Sequence, residues 1–129
     1  MIVPRAAVRK ETMPQKPTEG PPLTPAAFHI LLSLAEADQH GYAIIKSVLK
    51  RSDGSLNLGP GTLYTNLKRF SELGWIAELE DRPAPDLDDE RRRYYRLTPS
   101  GRHIAQLEAE RLESLVRHAR TAKLLGRPA

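Results

Sequence analysis

The 129-residue chain contains no cysteine, which excludes both a disulfide framework and a thiolate zinc site. Aromatic residues make up only 5% of it, so any core must be built from aliphatic side chains. No apolar run approaches the roughly 18 residues of a membrane span. The N-terminus carries Arg5, Arg9 and Lys10 but no continuous apolar stretch of the kind a secretory signal requires. Those absences predict a cytoplasmic protein with no membrane partner. No internal repeat is present. The four histidines, His29, His40, His103 and His118, are scattered, without the His-x-x-x-His spacing of a helical metal site. Ser100-Gly101 lacks the strand–turn–helix setting of a nucleophile elbow, and Gly59-x-Gly61 lacks the rest of a phosphate-binding fingerprint. No enzyme, metal or cofactor is expected.

The chain does have a mild positive excess, 20 Lys and Arg against 16 Asp and Glu. A net charge of +4 suits an anionic partner without proving one, so position matters more than the total. Residues 1–22 hold Pro4, Pro14, Pro17, Pro21 and Pro22 and little that could pack, which reads as a flexible basic arm. The remaining length suits one small domain.

Its most informative stretch is Gly59–Gly74. Gly59-Pro60-Gly61-Thr62 is a turn followed by a helix start, with proline near the first helical position. Leu63, Leu67 and Phe70 then form one apolar stripe, and Gly74 is placed to close the helix. The opposite side presents Gly61, Tyr64, Thr65, Lys68 and Arg69, and the Gly59–Arg69 segment contains no acid. Such a helix is shaped to enter a DNA major groove, although an ordinary amphipathic surface helix has the same pattern.

The following segments sharpen that reading. Trp75–Glu80 is β-prone, Asp81–Glu90 is a polar loop with prolines, and Arg91–Thr98 reads as a second strand. Strand parity puts Tyr95 and Leu97 on one face and Arg92, Tyr94 and Arg96 on the other, with Leu97 inward. A helix followed by a basic hairpin is a wing arrangement. Asp86, Asp88, Asp89 and Glu90 cluster at its tip; they do not match a calcium loop, suit a solvated tip that pairs with Arg91–Arg93, and would repel phosphate there. Upstream, Thr24-Pro25 is a helix start followed by a stripe of Phe28, Leu31, Leu32 and Ala35. His40-Gly41, where a capping or packing role suits the histidine, precedes a second stripe of Tyr42, Ile45, Val48 and Leu49. The expected fold is mostly α with a small β-hairpin: a winged helix-turn-helix over 23–98, then a long C-terminal helix and tail over 99–129.

Several ordered motifs carry a family resemblance. Leu23-Thr24-Pro25, Ile30–Leu34, His40–Ile44, Gly59–Tyr64, Leu67-Lys68-Arg69 and Arg93–Gly101 follow one another in a pattern similar to the PadR family of bacterial transcriptional regulators. Each piece alone is ambiguous; the ordered set, running from about Leu23 to Leu125, is what resembles the family. The resemblance implies a homodimeric repressor that binds an operator through paired winged helices, in the short form with a single C-terminal helix. Some short PadR-type proteins sense flat aromatic drugs through interface tryptophans. Here the only tryptophan is Trp75, at the start of the first wing strand, where a core role suits it better.

In the last helix, Leu112, Leu115, Ala119 and Ala122 step by 3, 4 and 3, which is heptad spacing, with Val116 beside them. Glu108, Glu110, Arg111, Glu113, Arg117 and Arg120 flank that seam. The near end, at Ile104 and Leu107, can fold back on the domain, and the far end is expected to pair with a second copy.

These readings assign double-stranded DNA as the partner, held by Gly61, Thr62, Tyr64, Thr65, Asn66, Lys68 and Arg69. Arg91, Arg92 and Arg96 are assigned to the flanking backbone. Leu112, Leu115, Val116, Ala119 and Ala122 are assigned to dimerisation. The rival is a winged-helix module that binds a protein in place of DNA, favoured by the acidic wing tip. The sequence names neither an operator nor a small-molecule inducer.

Overall fold

A computed structural model of the chain describes residues 20–79 and 93–126. The acidic wing tip, Arg91, Arg92 and all but the last three residues of the expected arm lie outside the described residues. Four helices and three short strands follow in order: α1 (Pro25–Glu36), β1 (Gln39–His40), α2 (Gly41–Arg51), α3 (Pro60–Leu73), β2 (Ile76–Leu79), β3 (Tyr94–Leu97) and α4 (Pro99–Thr121).

Helix starts follow local chemistry. The Thr24 hydroxyl accepts the Ala27 N–H at 3.0 Å, the His40 ring nitrogen accepts the Ala43 N–H at 3.2 Å, and the Thr98 hydroxyl accepts the Gly101 N–H at 3.0 Å. Each satisfies one of the amides that a helix start leaves without an internal partner. At the far end of α3, Gly74 takes a left-handed conformation (φ 81°), and the Trp75 N–H reaches back to the Phe70 carbonyl at 2.8 Å. A side chain would strain that backbone, so glycine ends the helix there.

The core is mostly aliphatic, but three of the seven aromatic residues, Phe70, Trp75 and Tyr95, are buried in it. Ile30, Leu31 and Leu34 of α1, Ile44 and Val48 of α2, and Leu63, Leu67 and Phe70 of α3 meet Trp75, Ile76, Tyr95 and Leu97. Two expected stripes are rotated. In α1 the buried apolar positions are Ala27, Ile30, Leu31 and Leu34, while Phe28, Leu32 and Ala35 are half-buried. In α2 Ile44 and Val48 point inward, whereas Tyr42 and Leu49 are exposed. Apolar residues occupy nearly every position of α1 and two interleaved rows of α2, so periodicity alone does not fix the phase. Contact with α3 fixes it in α2, because Gly41 lies against Leu63 and Tyr64.

The expected hairpin is the larger part of a three-stranded antiparallel sheet in the order β1-β3-β2. Ile76 pairs with Leu97 and Leu79 with Tyr94, while Gln39 and His40 pair with Tyr95 and Tyr94 on the other edge. A two-residue strand shows no alternation in sequence, so only the unfilled edge of β3 reveals it. Tyr95 and Leu97 face the core as parity requires, and Arg96 faces out.

The sheet also launches α4. The Thr98 N–H donates to the Trp75 carbonyl at 3.0 Å and its hydroxyl donates to the Gly74 carbonyl at 2.6 Å. Gly101 then lies so close to the Trp75 carbonyl that a Cβ would overlap it, and the same Cβ would come within 2.9 Å of the Leu97 side chain. Ile104 and Ala105 pack on the core, but Leu107, expected to do so, is 38% exposed. Glu108, expected beside the seam, is instead buried within the packed face. Its carboxylate accepts two bonds from Arg111 at 2.9 and 2.7 Å and the Leu23 N–H at 3.3 Å. The Arg111 hydrogen bonds hold the Glu108 carboxyl below the usual glutamate range, against the opposing effect of burial.

Candidate nucleic-acid interface

Helix α3 buries Leu63, Leu67 and Phe70 and presents three rows of side chains away from them. Gly61, Thr65, Lys68 and Glu72 step by 4, 3 and 4, so they run up the outward face in one line, and all four are exposed. Thr62, Asn66 and Arg69 form the row nearer α1, and Tyr64 and Ser71 the row nearer the sheet.

The N-terminus of α3 differs from the other three. Gly59 has no side chain with which to cap it, and a Cβ on Gly61 would meet nothing within 4 Å. The first turn therefore offers open space and the positive end of a helix dipole, which favours approach by an anion. Helix α2 lies behind it: a Cβ on Gly41 would overlap the Tyr64 hydroxyl, so that side chain is held against the start of α2. Exposed Tyr42 follows, with its ring stacked 6.4 Å from His40 and the Lys46 ammonium 5.3 Å from its centroid.

The sequence-predicted residues are not all equivalent. Gly61, Thr62, Tyr64, Thr65, Lys68 and Arg69 share the open surface. Asn66 is half-buried, donates to the Thr62 carbonyl at 2.9 Å, and lines a cleft of about 80 Å³ with Leu23, Arg69, Phe70 and Trp75. Lys68 has Glu72 3.9 Å away, an acid on the outward face just beyond the acid-free segment. Arg96 stands apart from α3, on the outer face of the sheet, where its guanidinium grips both Asp38 carboxylate oxygens at 2.8–3.3 Å. Asp38 sits opposite Arg96 because it precedes the two-residue strand β1, so a missed strand concealed this partner.

Arg93 was expected to pair with the acids of the wing tip, which lie outside the described residues, and was not assigned to DNA. Strand alternation puts it on the same face as Tyr95, and its guanidinium lies 3.1 Å from Glu78. Parity could have selected it over Arg96, had the sheet face turned toward α3 been the criterion. Between α3 and the sheet lies an open groove of about 320 Å³, lined by Tyr64, Leu67, Lys68, Glu72, Glu78 and Tyr95. Burial pushes the Tyr95 hydroxyl up from its ordinary pKa, with the negative charge of Glu78 adding to the effect.

Along α4 the assigned dimerisation residues continue the packed face beyond the body. Leu112 and Ala119 are half-buried, while Leu115 is 53% and Val116 38% exposed. Ala122 falls just past the end of the helix and is exposed, so the helical seam ends at Ala119.

A helix with a buried stripe and an open polar row, backed by a short sheet and followed by a long helix, also describes a family. The Transcriptional regulator PadR-like family matches residues 30–107, more than half of the chain. The chain belongs to that family. It is a family of transcription regulators and not of enzymes. The chain is 34% identical over 90 residues to an uncharacterized 37.1 kDa protein in transposon TN4556 of Streptomyces fradiae, a match covering 70% of this chain. It spans about a quarter (24%) of that relative's length. Among solved structures it resembles a transcriptional regulator from Clostridium thermocellum, at 27% identity and a TM-score of 0.62, covering 74% of this chain and 87% of the other. It shares the fold of a PadR family transcription regulator from Clostridium difficile, at 24% identity and a TM-score of 0.61, covering 74% and 95%. Among the described residues no helix is long and apolar enough to cross a membrane.

Proposed function

We propose that this chain is a cytoplasmic homodimeric repressor that reads an inverted-repeat operator. The observation that supports it is the outward row of α3, where Gly61, Thr65 and Lys68 rise from an uncapped helix start and none of the described elements covers them. In this reading residues 23–98 are the DNA-binding domain and 99–129 the dimerisation helix and tail. Helix α3 enters the major groove; Gly61, Thr62, Thr65 and Asn66 lie toward bases or sugars, and Lys68, Arg69 and Tyr64 reach phosphates. Arg91, Arg92 and Arg96 serve the flanking backbone. For Arg96 that requires exchanging Asp38 for phosphate, a modest penalty because both side chains are partly in water.

Exposed Leu115 and Val116, beside half-buried Leu112, support pairing with a second α4, with Ala119 allowing close approach. A twofold dimer then presents two equivalent α3 helices.

The test is selection of bound duplexes from random DNA with the purified chain, followed by an electrophoretic shift. Recovery of one inverted repeat is the expected result. Glu72 and Glu78, acids beside the groove helix, favour the rival reading, a winged-helix module that binds a protein. Failure to enrich any duplex would select that rival.

A further inference from the structure

The cations around α3 differ in whether the fold already meets their charge. Lys68, Arg93 and Arg96 each have a carboxylate within 3.9 Å, from Glu72, Glu78 and Asp38. A phosphate that takes one of them must first displace that partner. Lys46 of α2 has no carboxylate partner among the described residues, and Gly41–Arg51 contains no acid. Its ammonium instead lies over the Tyr42 ring, 5.3 Å from the centroid. A contact of that kind restrains a lysine without neutralising it.

The ring is itself braced. Tyr42 lies parallel to His40, with 3° between the planes and 6.4 Å between centroids, and His40 meets Tyr94 edge-on at 5.2 Å. Both spacings fall in the range of interacting rings. His40 is held in turn, because its ring nitrogen caps α2 at the Ala43 N–H and its backbone pairs with Tyr94 in the sheet. A line of fixed groups thus runs from β3 through β1 to a lysine exposed at the far end. Lysine is among the side chains that lose most freedom when ordered, and one held in place beforehand has less to lose.

The start of α2 borders α3 on its sheet side, where a Cβ on Gly41 would overlap the Tyr64 hydroxyl and come within 3.1 Å of the Leu63 side chain. A helix lying in a major groove about 12 Å wide has a phosphate backbone on each flank. Arg69, exposed on the α1 side and also without a carboxylate partner among the described residues, covers one flank. Lys46 stands on the other. We propose that Lys46 contacts a phosphate on the sheet side of α3, and that Tyr42 is a positioning residue whose ring holds the ammonium ready for it. The contact rests on the DNA-binding reading and adds to it a residue outside α3 and the wing.

Binding of a fluorescent duplex of mixed sequence by the full chain, followed by anisotropy across a salt series, tests both roles. Lys46→Ala should lower the salt slope by about 0.9, the value of one phosphate contact on duplex DNA, and weaken every sequence alike. Lys50→Ala, the same change of charge at the exposed far end of the same helix, should leave the slope in place. Tyr42→Leu should weaken binding about threefold in the wild-type background and have no effect where Lys46 is already alanine, since the ring acts through the lysine. Tyr42→Phe, which keeps a ring, should recover most of that loss. A wild-type slope in Lys46→Ala would overturn the contact, and equal falls for Lys46→Ala and Lys50→Ala would reduce it to net charge. A loss from Tyr42→Leu that persists in the Lys46→Ala background would overturn the role of Tyr42. Failure of the DNA reading looks different: the wild-type chain then binds no duplex at any salt concentration, and the contact falls with it.

Discussion

Glu108 is 1% exposed, and a buried carboxylate is tolerated only where its charge is met. Arg111 and the Leu23 N–H meet it, and the Arg111 bonds hold its pKa down. An unfolded glutamate titrates near ~4.3, above the folded value, so the unfolded chain binds the proton first as pH falls. The stability from this carboxylate is thus complete above that pH and is lost as pH falls through it toward the lower folded pKa. Glu108→Gln should cost about 1.5 kcal/mol at neutral pH, the scale of a hydrogen bond to a charged group, and the gap from wild type should close in acid. Urea unfolding at neutral and acid pH checks both; a gap unchanged in acid rejects the assignment. Residues of α3 divide differently. Lys68→Ala should weaken binding to all duplexes alike and lower the salt slope by about one. Thr65→Ala should instead change sequence preference in a binding-site selection. The division fails if Lys68→Ala changes preference at an unchanged salt slope. Single residues were the least legible scale in the sequence. Glu108 reads as a solvated helix charge until Leu23, 85 residues away, supplies its partner, and Arg96 reads as free until β1 brings in Asp38.

Helices and strands were much more legible, because their ends are written in local chemistry. Thr24-Pro25, Gly59-Pro60 and Thr98-Pro99 mark three helix starts, and Gly74 marks an end. Phases were legible where the apolar set was sparse, as in α3, where Leu63, Leu67 and Phe70 are the only large aliphatic or aromatic residues of one face. They were not legible in α1 and α2, where several rows qualify and tertiary contact chooses. The junction of the sheet with α4 yields a sharp test. Glycine to alanine inside a helix ordinarily gains about 1 kcal/mol. At Gly101 the added methyl overlaps the Trp75 carbonyl, backbone that cannot swing aside, so the overpacking loss of about 1–3 kcal/mol should win. Gly101→Ala should therefore lower the urea midpoint, while Gly61→Ala, which meets no atom within 4 Å, should not. Equal midpoints for Gly101→Ala and wild type would mean that the junction is looser than its geometry.

At the scale of the whole molecule, the winged-helix plan was legible as an order of elements, whereas assembly rests on a surface that one copy leaves open. In the proposed dimer, Leu115→Glu should give a monomer by sedimentation, with loss of tight operator binding, because the carboxylate would be buried opposite its own copy. A wild-type monomer at micromolar concentration would remove the basis of that reading. Two reading heads on a twofold axis should protect half-sites a whole number of turns apart, about 10 base pairs or ~34 Å per turn. Inserting five base pairs between half-sites should abolish binding, and inserting ten should restore part of it. Tolerance of five would show that the heads move independently. Thr98 fastens α4 to the end of α3 through Gly74 and Trp75, at one extremity of a 23-residue helix. At 1.5 Å per residue that helix is a lever about 34 Å long. A tilt of about 5° at the clasp displaces its tip by about 3 Å, and displacement of the tip returns the same tilt to the clasp. In the proposed dimer, whatever spreads or closes the two tips would thereby turn both α3 helices, so that a contact far from the proposed DNA-binding face would change how that face is presented.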